Sequence, residues 1–367
     1  MEQTSIFDFL PEEDAAFFKP IKSTDWKWTM AEDYPKEKNG LKVFSCFACG
    51  GGSTMGYKLA GCEVVGCCEI DPRMNEVYIK NHHPKHNFLM DIRKFNEIPN
   101  EDLPEELLNL DILDGSPPCT TFSMAGDRED SWGKKKKFRE GQTEQTLDDL
   151  SFVFIETVGK LKPKVMIMEN VEGLLKGEAW GYVQRIYKQL NDIGYKVKHW
   201  LLKGQYMGVP QTRHRVFFIA IREDVEFDLD VLDMSFNYEP IKFRDIKSNE
   251  HIEPSESVKE LIAMAIPVKD KTLADVLIRT KGKNSRFNEC IVWDENICPT
   301  IRAHGHYRGD DVSKFARLDF IHAQSFPEDY DEDNQSIAYI CGMSVPPVMI
   351  KRIVTRLIES GLFNTKG

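Results

Sequence analysis

The sequence predicts an α/β fold: a doubly wound, mostly parallel sheet with a second, smaller domain. Two observations predict it. Between residues 41 and 222, short apolar runs (KVFSCF, CEVVGCCEI, LDIL, VMIM, VFFIAI) alternate with amphipathic segments, the pattern of buried parallel strands joined by crossover helices. Beyond Arg222 that alternation stops: residues 223–260 are acidic and interrupted by Pro240 and Pro254, and residues 269–286 are locally basic. The expected organisation is an extension over 1–40, a sheet domain over 41–222 completed by 335–367, and a small domain over 223–334.

Bulk properties narrow the class. The 367 residues are 41% hydrophobic and 29% charged, enough apolar content for a core and too much for a disordered chain. No apolar stretch runs uninterrupted for about twenty residues, and the N-terminus is acidic rather than basic-then-apolar. These features predict a soluble, cytoplasmic protein with no membrane partner. Nine cysteines, an odd number in a long chain, fit reduced thiols better than a disulfide framework. The net charge of −11 argues against a nucleic-acid partner, which usually meets a basic surface.

Residues 1–40 carry Trp26, Trp28 and Tyr34 among acids and prolines without a sustained period, so they are expected to lie on the main domain. The first strand leads into Phe47-Ala48-Cys49-Gly50-Gly51-Gly52 and then a helix. Glycines there let the backbone approach a ligand, and the helix start offers free N–H donors to an anionic group. Glu69 ends the next apolar run, where an acid can hold ribose hydroxyls, and Asp91 ends a third. A nucleotide-like cofactor fits the three features together; a tight turn beside a solvent-facing carboxylate fits the turn alone. Asp114-Gly115-Ser116-Pro117-Pro118-Cys119 follows LDIL. Its prolines stop the strand and hold Cys119 at the carboxyl end of the sheet, where a thiol can be a nucleophile or an inert part of a rigid turn.

Helical spacing is clearest over residues 150–161, where Leu150, Val153, Phe154, Val158 and Leu161 share a face. A strand over 164–168 follows, and Glu169-Asn170-Val171 is expected just past it, with Glu169 sharing a site with Cys119 and Asn170 starting a helix. In Gln211-Thr212-Arg213-His214-Arg215 the arginines are two apart, so in an extended segment they point to one side and can converge on a carboxylate, a phosphate or a base edge. A solvated strand edge is the other reading. Ile350, Ile353, Val354, Leu357 and Ile358, stopped by Gly361, predict a closing helix after Pro346-Pro347. Cys46 and Cys49 form an isolated CxxC, which does not support zinc or redox use. His82, His83 and His86 are expected in an exposed loop rather than a metal site.

Taken in order, FACGGG, Glu69, Asp91, Ser116-Pro117-Pro118-Cys119, Glu169-Asn170-Val171, Gln211 with Arg213 and Arg215, Gln324-Ser325-Phe326-Pro327 and Gly342-Met343-Ser344-Val345-Pro346-Pro347 resemble the ordered motif set of the DNA (cytosine-5) methyltransferases. The resemblance runs from residue 41 to about residue 356. It implies the methyltransferase, Rossmann-like variant of the doubly wound sheet and transfer of a methyl group from S-adenosylmethionine to C5 of a flipped cytosine in duplex DNA. Phe47, Gly50, Gly51 and Gly52 would bind S-adenosylmethionine. Glu69 would hold its ribose, Ile70 its adenine and Asp91 the adenine amino group, with Pro118 and Ser344 completing that site. Cys119 would be the nucleophile, Glu169 would contact N3 and the amino group of the base, and Arg213 and Arg215 would hold the base from the other side.

DNA contacts are expected from Ser123, from Gln211 and from Lys134, Lys135, Lys136 and Lys137 with Arg139: the stretch 123–146, with Gly133 and Gly141, is expected to form a mobile loop that closes on the phosphate backbone, a solvated face being the other reading of the lysine run. The resemblance further implies target recognition within 223–334, a restriction-modification setting, a monomer and no metal. Three positions depart from the family pattern: Cys49 stands where glycine is usual, Ser45 where an acid is, and Met343 where asparagine is. The same chemistry on transfer RNA is a neighbouring reading, disfavoured by the length of 223–334; a catalytically silent relative is disfavoured by the intact Cys119, Glu169 and Arg215. The charge objection softens along the chain. Acids gather in 1–40, 223–260 and 329–333 and bases in 134–139 and 269–286, so the two basic stretches are expected to face one DNA cleft.

Overall fold

The computed structural model describes residues 20–118, 149–250, 252–267, 269–282, 289–311 and 313–363. Seven strands form one sheet: β1 (Lys42–Cys46), β2 (Glu63–Glu69), β3 (His86–Leu89), β4 (Ile112–Gly115), β5 (Val165–Val171), β6 (Tyr195–Lys203) and β7 (His214–Arg222). Their order is β3-β2-β1-β4-β5-β7-β6. Neighbours are parallel except where β7 pairs with β5 and β6. Only residues 204–213 separate β6 from β7, too few for a crossover helix, so the chain turns back antiparallel.

Among the described residues, the α-helices longer than four residues are α1 (Gly52–Leu59), α2 (Pro72–His82), α3 (Ile92–Glu97), α4 (Leu150–Leu161), α5 (Trp180–Asp192), α6 (Glu256–Ala263), α7 (Leu273–Lys281), α8 (Arg317–Ala323), α9 (Ile337–Met343) and α10 (Pro347–Glu359). Alternation along the strands divides the core between the two faces of the sheet. Phe44, Leu113, Met166, Met168 and Phe218 pack beneath α3, α4 and α5, whereas Val43, Ile112, Val165, Ile167 and Phe217 pack beneath α1 and α10. The α10 stripe predicted from spacing is in that second core, with Ile350, Ile353, Val354 and Leu357 fully buried. Gly56 makes its approach possible, because a Cβ there would lie 2.5 Å from the Pro347 carbonyl oxygen and from Ile350. The continuous stretch Ile337–Glu359 is long and apolar enough to cross a membrane, yet 67% of that window is buried inside the protein.

The small region holds α6, α7 and a two-stranded parallel sheet of β8 (Cys290–Val292) and β9 (Tyr307–Gly309). Val258, Leu261, Ile262, Leu273, Val276 and Ile291 form its own core. Its packing begins later than residue 223, because Val225, Leu229, Leu232 and Met234 belong to the sheet's core beside α10. A further apolar cluster joins Phe243, Phe315, Phe320 and Phe326 to Met55, Met74 and Val77 of the sheet domain.

The extension from residue 20 is tied across both parts. Trp28 is buried and its indole N–H donates to the Ser325 carbonyl at 2.9 Å. The free amides of Met30 and Ala31, at the start of a short helical turn, donate to the Asp329 carboxylate, which caps them from a distant part of the chain. Asp25 pairs with Lys351 and Arg352 of α10. We predict that Trp28→Ala lowers unfolding stability by about 3–5 kcal/mol in urea melts, as a large buried side chain with a hydrogen bond demands. A loss under about 1 kcal/mol would show the extension to be loosely attached.

Candidate active site

In an open α/β sheet the ligand crevice lies beyond the carboxyl ends of the strands, where the strand order reverses. Here the reversal falls between β1 and β4. The carboxyl ends of β1, β2, β4 and β5 therefore meet there, with Glu69 and Glu169 in the last residues of β2 and β5 and Phe47 to Gly52 and Pro117-Pro118 in the segments that leave β1 and β4.

The loop after β1 is conformationally unusual. Phe47 and Cys49 have positive φ (56° and 46°), as does Gly51 (87°). A side chain at Gly51 would collide with the His82 ring, and one at Gly52 with the Val345 carbonyl and Ser344. The glycines are thus required by the protein's own packing, not only by close approach of a ligand. The Gly50 carbonyl accepts from the Tyr330 hydroxyl at 2.6 Å and sits 3.1 Å from His82 Nε2. Glu69 fastens the same loop: its buried carboxylate accepts from the amides of Cys49 (2.7 Å), Ile70 (2.9 Å) and Asp71 (2.8 Å). Burial raises the Glu69 pKa, and those amide bonds oppose the rise. Ile70 is half-buried beside it. Asp91 is half-buried, caps α3 by accepting from the Arg93 amide at 2.8 Å, and pairs with the Arg93 guanidinium. Ser344 lies against Gly52, and its buried hydroxyl has no hydrogen-bond partner among the described residues.

Across the reversal, the structure brings Glu169 and Arg215 together. They sit near the ends of adjacent strands β5 and β7, with Arg215 Nε 2.7 Å from Glu169 Oε1 and both side chains largely buried. Glu169-Asn170-Val171 lie within β5 rather than past it. Asn170 is therefore not a helix cap; its Oδ1 accepts from the Val171 amide and its buried Nδ2 has no partner among the described residues. Pro118 is half-buried at the last described position after β4. Cys119, Ser123, Lys134, Lys135, Lys136, Lys137 and Arg139 lie outside the described residues.

Two expectations need correction. Gln211, expected on DNA, is fully buried. It donates to the Ala323 carbonyl and to Gln324 Oε1 and accepts from the Ile301 amide, so it joins β7's approach to the small region. Arg213, expected against the base, is buried, with its guanidinium donating to the carbonyls of Ile301 (3.2 Å) and Gly342 (3.1 Å). Both are anchors between domains, because buried main-chain carbonyls outcompete a solvent-facing role. In the expected basic stretch, Arg279 is likewise committed to the buried Asp270 at 2.6 Å, and residues 283–288 lie outside the description.

Three residues at the site escaped sequence reasoning. His82 is buried at the end of α2, not exposed in a loop, and the spacing Met74, Val77, Tyr78, His82 already carried that signal. Tyr330 had none. Asp114, inside a motif already singled out, is a buried carboxylate between β1, β4 and α1.

Fold and site together define a class: a methyltransferase-type doubly wound sheet whose crevice is lined by motifs at four strand ends. The family described as C-5 cytosine-specific DNA methylase matches residues 41–359, and the chain belongs to that family. Type II methyltransferase M.NgoPII of Neisseria gonorrhoeae is 32% identical over 200 residues, 54% of this chain and 52% of that protein, so the chain spans about half the length of this relative. M.Bsp6I of a Bacillus species is 25% identical over 344 residues, 88% of this chain and 100% of its own length. The structure of the S. pombe Dnmt2 methyltransferase shares the fold, with a TM-score of 0.58 at 16% identity over 88% of this chain and 99% of that one.

The His82 pKa is lowered to about 3, first by burial and then by the nearby Lys58, from an ordinary 6.5. The ring is therefore neutral in the fold, and its contribution to stability is complete above pH 6.5 and is lost as pH falls toward 3. Against a His82→Gln variant, the stability advantage of the wild type in urea melts should shrink as pH is lowered from about 7 to about 4. A gap independent of pH would mean that His82 titrates alike in both states.

Proposed function

We propose that the protein transfers the methyl group of S-adenosylmethionine to C5 of a cytosine flipped out of duplex DNA, acting as a cytoplasmic monomer. The observation that carries this reading is the buried Glu169–Arg215 pair on β5 and β7, with β5 paired to β4, in a chain of the C-5 cytosine-specific DNA methylase family. S-adenosylmethionine, when bound, supplies an electrophilic methyl group. The residues present fit such a ligand: Ser344 offers a buried hydroxyl without a partner among the described residues, and Glu69 holds the loop in place while keeping one acceptor site, on Oε2, for a ribose hydroxyl. Phe47, Ile70, Asp91 and Pro118 would frame the adenosine, with Gly50, Gly51 and Gly52 forming the turn beneath it.

Cytosine C5 is a weak nucleophile until C6 is attacked. The Cys119 thiolate adds to C6, forming a C–S bond and moving electron density onto N3 and the ring carbonyl. Glu169, protonated or hydrogen-bonded toward N3, stabilises that charge, and Arg215 fixes the carboxyl orientation. C5 then takes the methyl group, which would leave the donor as a neutral thioether; water or a base takes the C5 proton, and that electron pair re-forms the C5–C6 double bond and breaks the C–S bond, releasing the Cys119 thiolate. The target must leave the stack for this geometry to form. Lys134, Lys135, Lys136, Lys137, Arg139 and Ser123 would engage the DNA backbone.

The test is methyl transfer to duplex DNA followed by sequencing for 5-methylcytosine. Cys119→Ser should lose at least about a thousandfold in kcat, and Glu169→Gln about a hundredfold. A wild-type protein that neither methylates DNA nor forms a covalent complex with 5-fluorocytosine DNA in the presence of S-adenosylmethionine would refute the reading.

A further inference from the structure

Asp114 is the carboxylate that the mechanism above does not use. It sits on β4 in register with Ser45 of β1, and the Ser45 hydroxyl donates to its Oδ2 at 2.7 Å. From the other side the Tyr57 hydroxyl, on α1, donates to its Oδ1 at 3.0 Å, and Ser53, in the first turn of α1, adds a further hydrogen bond. All four residues are buried.

Such a group is expensive to keep. Burial, reinforced by the charge of Glu169, pushes its pKa up to about 7, although the hydroxyl bonds oppose the rise. An apolar residue at the end of a buried strand would carry no such penalty. What the carboxylate achieves is geometric. Ser45 precedes the Phe47 to Gly52 loop and Ser53 and Tyr57 follow it, so both ends of that loop are hydrogen-bonded to one group. That group belongs to the strand whose continuation is Gly115-Ser116-Pro117-Pro118-Cys119.

We propose that Asp114 is a positioning residue that locks the loop taking the methyl donor to β4, setting where the donor sits relative to the base. The inference rests on the proposed function and deepens it.

The experiment compares wild type, Asp114→Asn, Asp114→Ser, Tyr57→Phe and the double variant S45D/D114S for KM of S-adenosylmethionine and kcat on duplex DNA, per folded molecule. Asp114→Asn should raise KM about tenfold and lower kcat about tenfold, since misplacing the reacting groups costs both binding and rate. Tyr57→Phe, which keeps the buried ring, should raise KM about threefold. The double variant should recover most of what Asp114→Ser loses, because it returns a carboxylate to the same strand pair. Lower thermal stability with KM and kcat unchanged, or a double variant no better than Asp114→Ser, would overturn the proposal; should Asp114→Asn fail to fold, an unchanged KM in Tyr57→Phe would do so. If the wild type bound no S-adenosylmethionine, the proposed function would fall and this inference with it, whereas binding by wild type and Asp114→Asn alike would remove the inference alone.

Discussion

Carboxylates buried at the carboxyl edge of a parallel sheet must be given donors by the fold, and the site is organised around that requirement. Glu69, Asp114 and Glu169 stand at or near the ends of β2, β4 and β5, and each is solvated differently: by backbone amides, by hydroxyls and by a guanidinium. The partners come from neighbouring elements in every case. Satisfying each acid therefore fixes one loop against another: the β1 loop against β2 through Glu69, β1 and α1 against β4 through Asp114, and β5 against β7 through Glu169. The acids also sense one another, since Glu169 raises Asp114. Removing any one donor would leave a buried charge, and the least costly relaxation is movement of the loop that supplied it.

Much of the fold was legible because burial leaves a periodic trace. The strands read as apolar runs, and the helix over Leu150–Leu161 showed its face in the sequence. The reversal of β7 was not legible from its composition, since an antiparallel strand buried on both faces reads like a parallel one. Its direction follows from the short connection instead. Glu169 was found as a strand-end acid, although β5 runs two residues beyond it to Val171. Gln211 and Arg213 were misread for a different reason. Spacing tells which side of an extended segment a residue occupies, but not that carbonyls from residues 301 and 342 would be waiting there. Such contacts are long-range and main-chain, and they leave no sequence pattern. His82 was recoverable: the α2 period continues through it, and the histidine-rich text obscured the period.

The net charge of −11 says little about partners, because many acids are used internally. Asp331 and Asp333 hold Lys80, Glu332 holds Arg317, and Asp25 holds Lys351 and Arg352. Some expected bases are neutralised in the same way, as Arg279 is by Asp270. Interaction with a polyanion depends on charges left over after such pairing, and composition cannot count those.

These pairings also give the acidic extension a structural role that its lack of periodicity concealed. Trp28 bonds to Ser325, and Asp329 caps the helical turn at Met30 and Ala31. The adjacent residue, Tyr330, places its hydroxyl on the Gly50 carbonyl at 2.6 Å. A continuous series of contacts thus runs from residue 28 through the segment 325–330 to the loop after β1. Tyr330 must be held to perform that function, and the segment is held from two sides: Arg317 of α8 donates to the carbonyls of Glu328 and Tyr330, and Trp28 of the extension covers it. The extension supplies that cover, and so acts on the crevice without lining it.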